Sequence, residues 1–567
     1  MKKKWIYTGL MAVVVASAGW LGGMTAGFYL MKPPAETPRT ALETVYPNQY
    51  GSYLAGMMAQ KKQDYAQTTY FFERALLAAP DNKKLKTTLY LLYAIQGQMD
   101  RAIPLAKALD SPKHPENLTH YVLMGDALKR SDWPAMQDLL DQPFDFGPDT
   151  ILHPVLQAWT YAGQGQWAQA EQALAPLKKN KDMRAFYEYY RALLAMSRSD
   201  NAGAITAFQA MSALSAGGYP SLSVLVIMPA FLERQGLWRA GLQEYDQMQK
   251  LITKNRQLIN LFQSARPPEK ITPQIGAAIA FYDISVGLAP LKIQETSLVL
   301  NEIAAYLAPE ALTPKIWGGE LFESAQNYQA ANRVYSQIKN PSDVVRLKAA
   351  LNFIANRDYT DALPILEKLA AENKTDGLLF SVLGDTYLQT QDYESAIEAY
   401  GRAAKLLETT GTPAERASAL LSLGAAYDKA GLNKSAETAL QDALKITPDD
   451  PQILNYLGYV WLDRGVHIDQ AFDMVRRAAE LAPEDPNITD SLALGYYLKH
   501  DYDKALELAE KATDALAYSS VAYAHLGDIY AALGRRREAT HQYQKALDLK
   551  SDLTPKLQAE LEKKIGD

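Results

Sequence analysis

The sequence predicts an all-α protein built as a linear stack of helix pairs, on three observations. Good helix formers fill most of the 567 residues, and β-branched runs are scarce beyond the N-terminus. From residue 49 onward a pattern of small and bulky residues returns about every 34 positions. Prolines such as Pro448 and Pro483 end its units, because a proline lacks the amide donor that a continuing helix needs. A chain of this length exceeds what one compact core serves, which an array accommodates.

The first element is apolar. Lys2, Lys3 and Lys4 open the chain, and no residue from Trp5 to Met31 is charged. As a helix this stretch would run roughly 40 Å, enough for a tilted membrane span. Gly19, Gly23 and Gly27 recur every four residues, as on a helix face that packs closely against a second copy. Ala16 and Ala18 also form a small-x-small pattern, so a signal peptide cut after Ala18 is the competing reading. Cleavage would leave an apolar tail in water, which favours a retained anchor over residues 1–31. The lysine flank keeps the N-terminus in the cytoplasm and places the bulk of the chain on the far side, the periplasm in a bacterium. Residues 32–48, with K-P-P-A-E-T-P-R-T, read as an extended linker.

Residues 49–254 read as a degenerate array. The unit 49–82 keeps Gly56, Phe72, Ala75 and Pro80, and later units keep Ala102, Ala170, Ala204 and Ala240. The period is lost from 255 to 311, around A-R-P-P-E-K-I-T-P, which predicts an irregular helical connector and the best place for a hinge or domain boundary. A second array fills 312–553. There G-T-P-A-E-R at 411–416 reads as an inserted loop, and G-V-H-I-D at 465–469 carries one extra residue. Residues 554–567 predict a terminal helix, capped by Thr554 with Pro555 at its first position.

The second array states its physics most plainly. Leu423-Gly424 and Leu526-Gly527 are each followed by Tyr three residues after the Gly, by Ala twelve after it, and by another Ala seven later. Gly384, Gly424, Gly458 and Gly527, with Ala493 in the equivalent place, allow close helix approach, and Ala396, Ala436, Ala505 and Ala539 do the same from the partner helix. Tyr387, Tyr427, Trp461, Tyr496 and Tyr530 fill the space alongside. This pattern resembles the tetratricopeptide repeat. The resemblance implies a right-handed α-solenoid whose inner groove holds a peptide or a folded partner. The membrane address and L-N-Y-L-G-Y-V-W-L-D-R-G-V-H-I-D-Q-A also resemble Gram-negative envelope repeat proteins, among them lipoprotein adaptors of a carboxyl-terminal-processing protease. The lipobox cysteine of those adaptors is missing, so lipid attachment is excluded.

The chemistry expected of the chain is recognition. It has no cysteine, which removes disulfides, thiolate catalysis and thiolate zinc sites. The net charge of -6 and the lack of a basic stripe argue against nucleic acid. Seven histidines show no metal-binding spacing, and no phosphate loop or nucleophile elbow is present, so no cofactor is expected. R-R-R at 535–537 reads as a solvated turn. In this repeat family the inward positions of each first helix are the second, fifth, ninth and twelfth. They yield Gln452, Asn455 and Tyr459, then Asn487, Asp490 and Tyr497, then Asp528. Such a wall can hydrogen-bond an extended peptide and stack on its side chains. The expected function is a non-enzymatic scaffold or adaptor for protein partners, tethered to the inner membrane. The alternatives are a cleaved soluble periplasmic repeat protein assisting envelope assembly, a cytoplasmic array, and an enzyme with a cryptic site in 255–311.

Overall fold

The computed structural model describes residues 49–62, 64–110, 117–142, 149–214, 221–236, 268–289, 294–549 and 553–566. The anchor over 1–31 with Gly19, Gly23 and Gly27, the linker over 32–48, and Ala240 lie outside the described residues. Among the described residues no helix is long and apolar enough to cross a membrane. They form helices joined by short turns, with no strand.

Tertiary contacts divide the chain into two compact units, whose described parts are 49–358 and 359–566. The first contains α1 (Gln49–Lys61), α2 (Tyr65–Ala78), α3 (Lys83–Ile95), α4 (Met99–Leu109), α5 (Asn117–Lys129), α6 (Trp133–Leu140), α7 (Asp149–Gly163), α8 (Trp167–Ala173), α9 (Ala175–Lys179), α10 (Arg184–Ser197), α11 (Asn201–Leu214) and α12 (Val224–Arg234). It continues with α13 (Pro273–Leu288), α14 (Gln294–Leu307), α15 (Leu312–Ser324), α16 (Tyr328–Tyr335) and α17 (Asp343–Ala355). The second contains α18 (Tyr359–Glu372), α19 (Gly377–Gln389), α20 (Tyr393–Thr410), α21 (Pro413–Lys429), α22 (Asn433–Ile446), α23 (Pro451–Asp463), α24 (Ile468–Leu481), α25 (Pro486–Leu498), α26 (Tyr502–Ala515), α27 (Ser520–Ala532), α28 (Arg536–Leu549) and α29 (Pro555–Gly566).

The division between Asp358 and Tyr359 differs from the boundary expected in 255–311. Within that stretch the described residues include two helices, α13 and α14. From Gly276 to Val286 every residue of α13 except Ile279 is buried. A helix covered on every side has no polar face, so its sequence carries no amphipathic period. In α13 the lost period reports burial.

In the second unit the small residues act as expected, with different partners. A methyl group on Gly384 would meet the Tyr400 ring at 2.7 Å, and one on Gly424 or Gly458 would meet Leu440 or Val475 at 2.6 Å. The interlocking side chains therefore come from the second helix of the same pair, whereas Tyr387, Tyr427 and Tyr496 are half-buried beside the contact. Helix starts are set locally. Asp450 accepts hydrogen bonds from the amides of Gln452 and Ile453 at 2.9 and 3.3 Å, and Asp485 does the same for Asn487 and Ile488 at 2.9 and 3.4 Å. Each cap is worth about 1 kcal/mol. The 411–416 insertion is not a long loop. Thr412 and Glu415 form a reciprocal capping box around Pro413, so the extra residues lengthen α20 and α21 and leave two residues between them. Thr554 caps α29 through the Leu557 amide at 3.1 Å.

Candidate functional site: the first-helix wall of the second unit

In a stack of helix pairs, the first helices form a wall that is available to a partner if nothing else covers it. In the first unit that wall is covered by the chain itself. Helices α3, α5, α7 and α10, the first helices of their pairs, pack against α13 or α14. Tyr190 donates to Asp283 at 2.9 Å, the Tyr121 and Phe281 rings meet edge to face at 6.1 Å, and Lys129 donates to the Tyr306 carbonyl at 2.7 Å. In the second unit α19, α21, α23, α25 and α27 touch their neighbours in sequence and no inserted helix among the described residues.

Two of the seven expected residues, Tyr459 and Asp490, are brought together on this wall through His525, and Asn455 is buried on α23. Asn455 on α23 and Asp490 on α25 are 8% and 7% exposed, so both are far more buried than a groove surface requires. Asp490 Oδ2 lies 2.9 Å from His525 Nδ1 on α27, and the Tyr459 ring sits 6.3 Å from the His525 ring. The Oδ1 atoms of Asn455 and of Asp490 are buried without a hydrogen-bond partner. A buried acceptor left unsatisfied costs roughly 1–3 kcal/mol. Burial works against a charge on His525. The Asp490 carboxylate, supported by the fields of Asp528 and Asp463, outweighs it and holds the imidazole pKa above its ordinary value.

The other four residues are placed differently. Gln452 donates to the capping carboxylate of Asp485 at 2.8 Å, and exposed Asn487 turns to the same carboxylate at 3.3 Å, so both support the helix start. Tyr497 is half-buried, its ring 5.9 Å from that of Tyr502. Asp528 is engaged by Tyr543 at 2.8 Å and by Lys564 of α29 at 2.8 and 3.0 Å. The terminal helix thus supplies a cation that the first-helix positions lack.

Sequence reasoning missed His525. It occupies the sixth place of its unit, one beyond the expected fifth, which is Ala524. The 35-residue interval separating Asn455, Asp490 and His525 is a signal that could have found it.

Sequence patterns of the tetratricopeptide repeat match residues 377–449, 421–486 and 520–553, so the second unit carries such repeats. Among curated proteins the chain is similar to the peroxisomal targeting signal receptor of Saccharomyces cerevisiae, at 28% identity over 30% of this chain and 28% of that protein. It is similar to the human cell division cycle protein 16 homolog at 23% identity, over 33% of this chain and 31% of that one. It also resembles the cytochrome c-type biogenesis protein CycH of Rhizobium meliloti at 34% identity, over 21% of this chain and 30% of that one. The chain spans about three tenths of the length of these relatives. Among solved structures, a tetratricopeptide-repeat protein of Thermus thermophilus aligns at 25% identity and TM-score 0.29, over 34% of this chain and 100% of that one. The Cut9–Hcn1 hetero-tetramer of the APC/C aligns at 15% identity and TM-score 0.37, over 93% of this chain and 98% of the other.

Proposed function

We propose that the chain is a non-enzymatic scaffold or adaptor that binds an extended segment of a protein partner along the first-helix wall of α23, α25 and α27. The observation that carries this reading is the run of first helices α23, α25 and α27, which no inserted helix covers among the described residues and which presents the half-buried Tyr459 and Tyr497. Tyrosine rings give the side chains of an extended peptide a surface to stack on. The tetratricopeptide repeats of the second unit support recognition in place of catalysis.

The apolar segment at 5–31 tethers this scaffold to the inner membrane, with the repeats in the periplasm, and Gly19, Gly23 and Gly27 offer a face for a homodimer. Its partners are envelope proteins such as a protease, a cell-wall enzyme or an assembly complex. In the second reading the segment is cleaved after Ala18 and the protein is soluble in the periplasm.

Two experiments test this. Crosslinking and co-purification from membranes recovers a protein partner with the native chain, and the Tyr459→Ala/Asp490→Ala variant recovers about tenfold less of it. Equal recovery by the variant would remove the wall from the reading. A phosphatase fused after residue 60 is active if the repeats are periplasmic, and an inactive, expressed fusion would put them in the cytoplasm.

A further inference from the structure

A second candidate site lies in the first unit, far in sequence from the wall. A cavity of about 250 Å³ opens among α3, α14, α15 and α16, lined by Glu302, Phe322, Val334, Lys315 and Arg333 beside the Gly97 turn. That volume equals roughly eight waters at about 30 Å³ each, enough for a molecule the size of an amino acid.

The polar groups of the cavity are unequally supplied. Glu302 is largely enclosed and has no cation in ion-pairing distance among the described residues. An enclosed carboxylate without a cation is costly, so it is either protonated or matched by something that enters. The turn is built around it. Gly97 stands at φ +70°, and a methyl group there would come within 2.6 Å of Glu302 Oε2. Of the two cations in the lining, Lys315 donates to the Pro309 carbonyl at 2.6 Å and Arg333 to Gln96 Oε1 at 3.2 Å, both neutral acceptors that leave the cations without a carboxylate among the described residues. Apolar side chains, Phe322 and Val334 among them, complete the lining.

We infer that this cavity binds a small zwitterion, an amino acid or a molecule of that size, with its ammonium on Glu302 and its carboxylate toward Lys315 and Arg333. The apolar lining accepts the aliphatic part of such a ligand. Two opposite and unpaired charge types in one cavity are matched by one ligand that carries both, whereas a simple amine meets Lys315 and Arg333 with like charge and a simple acid meets Glu302.

The test is calorimetric titration of the full chain with L-leucine, L-lysine and 4-aminobutyrate as zwitterions, and with butylamine and butyrate as single-charge controls. At least one zwitterion is expected to bind in the range of about 1 mM or tighter, with both controls about tenfold or more weaker. Glu302→Gln, close in shape to the native residue, is expected to lose about tenfold in affinity, and Arg333→Gln, at the exposed rim, several-fold, with circular dichroism unchanged. Failure of all three zwitterions to bind by about 10 mM, or equal binding by Glu302→Gln, would overturn the proposal. Neither result bears on the peptide wall of the second unit.

Discussion

Replacing Gly276 with alanine lowers the stability of the first unit by about 2 kcal/mol, although alanine is the better helix former. Gly276 lies on α13, and a methyl group at its Cα would overlap the indole of Trp159 on α7. Trp159 is wholly buried, 0% exposed, in a close-packed interior that has no room to yield. Alanine gains about 1 kcal/mol of helix preference over glycine, and forced overlap in a core costs typically about 1–3 kcal/mol. Overlap with a rigid, enclosed ring puts the cost at the upper end. The control is Gly401→Ala on α20, where nothing lies within 4 Å of the added methyl, and the change stabilises by up to about 1 kcal/mol. Hydrogen exchange across 273–288 under mild denaturant measures the first effect, and exchange across 393–410 measures the control. A Gly276→Ala protein that protects 273–288 as well as the native one would refute the packing argument.

Raising the pH from about 4 to about 8 weakens the first unit by an amount on the order of several kcal/mol. Asp283 on α13 is enclosed, and desolvation is the main cause of its pKa being raised from 3.8 to about 7, against hydrogen bonds from Ser221, Ser223 and Tyr190 that favour the charged form. Glu302 is raised from 4.5 to about 8, again by burial, with Asn301 opposing. Folded values above the unfolded ones mean that the folded state holds its protons longer. The contribution is therefore fully present below about pH 4 and is lost as the pH climbs through 7 and 8. Denaturant midpoints read by hydrogen exchange in α13 and α14 fall across this window. The double variant Asp283→Asn/Glu302→Gln flattens the profile. A variant profile parallel to that of the native chain would show that other groups set the dependence.

Asp283 also illustrates why the first unit was hard to read. Its network joins Tyr190 on α10, Ser221 and Ser223 before α12, and α13, across intervals of 93, 62 and 60 residues. No local pattern announces such a cluster. The second unit was far more legible, since its small residues, proline stops and aspartate caps act within one helix pair or on its neighbour. The wall residues fall between these cases. Their first-helix positions followed from the repeat, but which of them are free depended on other elements. Gln452 and Asn487 are turned to Asp485, and Asp528 is neutralised by Lys564 from a helix beyond the last full repeat.

The sequence by itself determined that the described chain is helical, where most of its helix pairs begin and end, and which glycines and alanines let paired helices touch. Those features rest on hydrogen bonds and contacts within a few residues or one repeat, so composition and spacing carry them. Only the tertiary structure decided that α13 and α14 cover the wall of the first array, that the units divide at Asp358, that His525 joins Asp490, and that Glu302 faces a cavity. Each of these depends on desolvation by side chains distant in sequence. Burial by remote helices removes the polar face that would otherwise give a helix its recognisable period.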